Sequence, residues 1–198
     1  MMRTRIANLA CLRGNTRGAT LVEFGLIAAP LCLTIMAIAD LGYQSYLRSV
    51  TRGVLEQASR SASVGTLTSA QIDTYISTQM ATINAKNGTT SVVKKSYYNF
   101  SNVGKPEKIT TDTTPLGSYN IGDCYEDANG NGSYDTALGS DSLGGADDIV
   151  YYEVTVSMPR VFPMAKMLGW NPTQSAKATT IVRNQPWANQ PKPAIKCT

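Results

Sequence analysis

The chain has 198 residues, a formal net charge of +4 and no histidine. That length fits one domain plus an anchor, and the missing imidazole removes the commonest general base and zinc ligand. The excess charge lies in residues 1–18, where Arg3, Arg5, Arg13 and Arg17 meet no acid. The remainder carries 14 basic against 14 acidic side chains, which leaves no electrostatic footprint for nucleic acid.

Behind this basic leader, Leu21 to Ala39 is apolar except for Glu23 and Thr34. As a helix it would span roughly 28 Å, enough to cross a bilayer. A secretory signal peptide is the alternative, but the apolar run starts late, carries an acid near its beginning and lacks a small-x-small exit. It therefore reads as a retained anchor over residues 19–43. Pro30 removes one backbone hydrogen bond, to Leu26, and predicts a kink or local opening. Gly25 and Ala29 form a small-x-x-x-small pair suited to close helix approach.

The helix is predicted to continue over 44–64 as an amphipathic extension. Leu47, Val50, Val54, Ala58 and Ala62 recur on one side and Arg48, Arg52, Glu56 and Arg60 on the other. Glu56–Arg60 and Arg52–Glu56 are both i,i+4 pairs, the first in the favourable order. Gly65 ends the pattern. Residues 65–198 then read as an exported α+β domain. Thr68 or Ser69 caps a second helix, striped by Ile72, Tyr75, Ile76, Met80 and Ile83 up to Asn87-Gly88. Strands are expected over Thr89–Phe100, Ile149–Met158 and Ala176–Arg183, the middle one with the alternation of a half-buried antiparallel strand. The expected fold is thus α+β, with the second helix packed on a small antiparallel sheet. A Thr/Pro/Gly-rich stretch (101–122), a long Asp/Asn/Gly-rich loop (123–148) and a proline-rich extended tail (184–198) complete the chain.

Within the long loop, Asp127, Asn129, Asn131, Ser133 and Asp135 fall at alternate positions around Gly132, matching the first half of an EF-hand-type calcium loop. Position twelve, normally a bidentate Glu, is Leu138. Asp141, Asp147 and Asp148 are candidates for the missing carboxylate. A metal-free array of Asx and glycine turns is the competing expectation. Cys124 and Cys197 are the only cysteine pair beyond the span, and an exported domain would join them; two free thiols in a cytosolic domain are the alternative. Asp147 and Asp148, near Glu126 and Asp127, are the nearest thing to a catalytic acid pair, but adjacent acids before a strand are usually solvated or metal-binding. No enzymatic activity is expected.

The junction Arg17-Gly18-Ala19-Thr20-Leu21-Val22-Glu23-Phe24 resembles a type IV prepilin-like processing site. Its Gly-x-x-x-x-Glu-Phe spacing is similar to that of Flp pilins and the TadE-like pseudopilins of the tight-adherence (Tad) apparatus. Further landmarks look like segments of longer TadE-like proteins: Cys124 to Gly132, Gly144 to Tyr151, Phe162-Pro163 with Leu168-Gly169-Trp170, and Ala178-Thr179-Thr180 leading to Arg183-Asn184-Gln185-Pro186. The loop around Asp127-Ala128-Asn129-Gly130 favours TadE-like over the related TadF-like chains. The resemblance implies a minor pilin-like structural component needed for Flp pilus assembly. It would be cut after Gly18 by a membrane prepilin peptidase, and would associate with other Tad pilins and an inner-membrane assembly platform. It also implies a single pass of the bacterial cytoplasmic membrane, with a cytoplasmic N-terminus before cleavage and an extracytoplasmic domain. Glu23 would then neutralise the Ala19 amine of a neighbouring subunit; a Glu that snorkels beside Arg17 is the alternative. An uncleaved anchor for a calcium-stabilised adhesive or binding module is the competing function, and it needs the loop but neither Gly18 nor Glu23.

Overall fold

In the computed structural model the described residues are 18–84, 87–137, 139–162, 165, 167–186 and 188–197. Most of the basic leader, residues 1–17, and Leu138 lie outside them. Helix α1, Ala19–Ser63, is a single element of 45 residues that runs through Pro30. The carbonyl of Pro30 accepts the hydroxyl of Thr34 at 2.8 Å. The anchor and the amphipathic extension expected from the sequence are therefore two stretches of one helix.

Contacts divide the chain into two units. The first joins Met1–Tyr43 to Arg160–Asn171; the second comprises Gln44–Pro159 and Pro172–Thr198. In the first unit, the α1 residues from Leu21 to Ala39 leave most of their large apolar side chains in solvent.

In the second unit, α1 buries Leu47, Ala58 and Ala62 of the stripe predicted from its spacing, while Val50 and Val54 are half-buried and Leu55, outside that stripe, is buried. Helix α2, Ser69–Ala81, starts at a capping box: Thr68 accepts from the Gln71 amide, and the Gln71 side chain accepts from the Thr68 amide. It buries Ile72, Ile76 and Met80. The helix stops at Ala81, earlier than Asn87-Gly88 and before the last residue of the stripe, Ile83: Thr82 takes the cap, and the Ile83 amide donates to the Met80 carbonyl. Thr51 of α1 meets the Met80 sulfur of α2 at 3.8 Å.

Strands β1 (Thr89–Tyr97), β4 (Ile149–Pro159) and β5 (Thr173–Arg183) form an antiparallel sheet with β4 in the centre. Val92 faces Val154, and Val154 faces Ala178. The even residues of β4, Val150 to Met158, and of β5, Gln174 to Ala178, are buried, so one sheet face is covered. On β1, Lys94 lies opposite Tyr152 on that same face, and its ammonium reaches Asp73 Oδ2 (2.6 Å) and Ser69 Oγ (2.7 Å) of α2. This ties the helix to the sheet edge. Strand β1 ends at Tyr97, short of Phe100, because Asn99 caps a 3₁₀ turn over Phe100–Asn102.

A second antiparallel sheet was not expected. It consists of β2 (Ile109–Thr111), β3 (Cys124–Asp127) and β6 (Ala194–Cys197), with β3 central and a bulge in its pairing with β2. Its first two strands lie in stretches expected to be loop, and its third lies in the tail. Cys124 and Cys197 face each other across β3 and β6, with Cα atoms 4.0 Å apart, and form a disulfide. Tyr125 of β3 is fully buried. It meets Tyr119 and Tyr134 edge-on, and those two rings stack at 4.0 Å.

Candidate functional site

Gly18 forms the turn from which α1 departs at Ala19, and its carbonyl accepts the Val22 amide at 3.2 Å. Glu23 and Phe24 are both solvent-exposed, Phe24 to 73%. Ala19 and Glu23 are four residues apart in an α-helix, so they share one face a turn apart. A Cβ built on Gly18 or Gly25 would meet nothing within 4 Å, so the helix surface is open at both positions. Of the four residues singled out at the junction, none is engaged by a side-chain hydrogen bond or ion pair among the described residues.

The first charged side chain after Glu23 is Asp40, and the sequence offered no sign of its partner. Arg160, 120 positions later, pairs with it through Nη1. Asp40 is fully buried and the Arg160 side chain nearly so. Arg160 Nε also donates to the Asn171 carbonyl (2.8 Å), and the guanidinium lies 5.5 Å from the centre of the Trp170 ring. The Phe162…Leu168-Gly169-Trp170 landmark thus belongs to a connection fastened to α1; Pro163 lies outside the described residues.

In the Asp127–Asp135 loop, Gly132 has φ +76°, as the turn requires. Asp127 accepts from the amides of Asn131 (3.1 Å) and Gly132 (2.9 Å), and Asn129 accepts from that of Asn131 (3.0 Å). Asn131 Oδ1 accepts the Ser133 amide, and Asp135 Oδ2 accepts from the side-chain amides of Asn129 and Asn131. The five predicted residues are therefore brought together, with these oxygens turned onto N–H groups. Among the described residues no group of three His, Cys, Asp or Glu side chains is arranged to hold a metal ion.

The carboxylate that joins this loop is Glu107, two residues before β2 and only 2% exposed. Its two oxygens accept from the Ala128 amide (2.9 Å) and the Asp135 amide (3.1 Å), clamping both sides of the loop. Burial, aided by the charges of Asp127 and Asp135, raises its pKa above the ordinary carboxylate value, while the two amides pull the other way. The expected donors are engaged elsewhere. Asp141 pairs with Lys95, Asp147 pairs with Arg183, and Asp148 accepts from the Gly145 amide and from Gln190. Nothing in the spacing around Glu107 distinguishes it from a surface acid, because its role depends on the pairing of β2 with β3.

Two other landmarks meet in space. The side-chain amide of Asn184 donates to the carbonyls of Leu143 and Gly145, and its backbone amide donates to the Asp148 carbonyl. The Gly144–Asp148 turn and the Arg183–Pro186 segment are therefore one clasp. Gly144 has φ +65°, and a Cβ there would come within 2.7 Å of the Asp148 side chain and 2.9 Å of Ser96. No side chain larger than hydrogen fits.

Among the described residues α1 is the one helix long and apolar enough to cross a membrane, and none of its apolar window is buried. Residues 18–60 match the family model for TadE-like proteins. The TadE-like match begins at the glycine of the junction and covers the apolar span with most of its amphipathic continuation. It bears out the family resemblance at this end of the chain, and the landmarks past residue 60 lie outside it. Over these residues the chain is similar to TadE-like proteins, a family of Tad pilus-associated structural components, and the exposed apolar helix fits a membrane anchor. No curated protein and no solved structure matches the chain.

Proposed function

We propose that this chain is a minor pilin-like component required for assembly of Flp-type pili. A prepilin peptidase cuts it after Gly18, and α1 then carries it in the cytoplasmic membrane with residues 65–198 on the extracytoplasmic side. One observation supports this most: the TadE-like match starts at Gly18, where a turn precedes a long exposed apolar helix with a carboxylate one turn inside. Such a charge is costly in hydrocarbon unless it is partnered. Cleavage supplies the partner, the amine of Ala19 on an adjacent subunit, and the pair offsets the desolvation of both groups. N-terminal sequencing of the membrane-bound protein should read from Ala19, and any other start removes the processing step. Glu23→Ala should leave cleavage intact and reduce pilus number, whereas Gly18→Val should leave the precursor uncut.

A second function, an uncleaved anchor for a calcium-stabilised adhesive module, is favoured by the position of Glu107. Its carboxylate arrives from outside the loop beside Asp127 and Asp135, where position twelve of the motif supplies none. Calcium should then raise the melting temperature and a chelator reverse the rise. An unchanged value removes the metal, and an Ala19 start removes the uncleaved anchor.

A further inference from the structure

We propose that the β4–β5 connection between Arg160 and Asn171 meets the membrane surface at the Asp40 end of the span, with Val161, Met167, Leu168 and Trp170 among lipid headgroups and upper acyl chains. This rests on α1 being a membrane anchor and adds to it a second point of membrane contact.

The depth follows from the helix. Leu21 to Ala39 rises about 28 Å against a hydrocarbon core of about 30 Å, so Asp40 marks the far boundary. The ion pair with Arg160 holds the connection at that level, and both belong to the same compact unit. Pairing also removes the cost of an isolated carboxylate at the edge of the hydrocarbon.

The composition of the connection follows the same logic. Connections between strands are ordinarily polar at the surface, yet this one exposes Val161 (53%), Met167 (73%), Leu168 (45%) and Trp170 (37%). Large exposed apolar side chains gathered in one connection mark a membrane or partner contact. Lipid is the occupant that continuity selects, because Ile35, Ile38 and Leu41 of α1, flanking Asp40, are also exposed. Trp170, with its ring against the Arg160 guanidinium, has the mixed apolar and polar character that settles at headgroup depth.

The test uses the full chain in phosphatidylcholine vesicles whose lipids are brominated either near the headgroup or deep in the acyl chain. Trp187→Phe leaves Trp170 as the sole tryptophan. Headgroup-proximal bromine should quench its emission about twofold, and more than deep bromine does. Replacing exposed Met167 and Leu168 by Glu should at least halve that quenching, with the far-UV circular dichroism unchanged. Protein that floats with the vesicles while Trp170 ignores bromine in both positions overturns the inference and leaves the anchor standing. This holds whether the emission reports water or a neighbouring protein. Protein that does not float removes the anchor itself.

Discussion

Two carboxylates in the second unit carry opposite signs of pH dependence. Asp123, fully buried, accepts from the Thr113 hydroxyl, the Thr113 amide and the Asn120 amide, and these bonds hold its pKa below the usual 3.8. Its contribution to stability is present above the unfolded value and is lost as pH falls through the lower folded one. Glu107 is raised above 4.5, so its ionised form weighs against folding at neutral pH, and that penalty is relieved as pH falls toward 4.5. In urea titrations, Asp123→Asn should be less stable at neutral pH, with a flatter loss in acid than the parent chain. Glu107→Gln should cost about 1–3 kcal/mol at neutral pH, because one carboxamide oxygen cannot serve both the Ala128 and Asp135 amides. The gap should widen on acidification toward 4.5, as the parent gains what the variant lacks. At Gly144 both a positive φ and two close neighbours oppose any Cβ. Gly144→Ala should cost about 2 kcal/mol or more, whereas Gly130→Ala, equally left-handed but in open space, should cost only the backbone term of about 1 kcal/mol. Denaturant midpoints of the two variants separate the causes.

Among the elements, those carried by repeated burial were legible and those carried by a partner were not. Strand β4 alternates from Val150 to Met158, where each buried side chain stands where period two puts it, while Ile149, buried beside Tyr97, departs from it. The stripe of α2 was equally plain, whereas that of α1 was read without Leu55 and with two half-buried valines. The small sheet escaped because β2, β3 and β6 are three or four residues long, and the outermost, β6, buries nothing. Pairing over long separations creates these strands, and no local pattern encodes it. The same holds for the candidate site. The junction is local and stood out, whereas the clamp by Glu107 and the clasp between Asp40 and Arg160 exist only after folding. On the amphipathic stretch, the Arg52–Glu56 pair forms at 3.5 Å although Glu56–Arg60 had the better order. Both partners are exposed, where such pairs contribute little. The capping box makes α2 testable alone: Thr68→Ala should cost about 1 kcal/mol. A drop in melting temperature without a change in pilus processing would place the effect in the domain and not at the junction.

At the scale of the molecule, the family match and the clasps that stabilise the second unit sit at different ends of the sequence. The family match lies on α1, while the clasps that shape residues 65–198 draw on Glu107, Asp148, Asn184 and Gln190. The disulfide closes a separation of 73 residues, and the chain-entropy model assigns it about 4 kcal/mol. Paired Cys124→Ser and Cys197→Ser changes should lower stability by about 2–5 kcal/mol. The loss should appear first as faster amide exchange in β3 and β6, while β4 and β5 stay protected.

Strand β6 is exposed at each of its four residues, and its ladder with β3 and the bridge at Cys197 keep it in place. Degradation machines begin on loose, extended polypeptide, and the proline-rich run after Arg183 is such a stretch once its fastening is cut. The bridge thus acts as a guard against proteolysis. It helps to withhold a segment by which an unfoldase could seize the domain, and in a reducing environment that segment is left to the β3 ladder and the hydrogen bonds of Asn184 and Gln190.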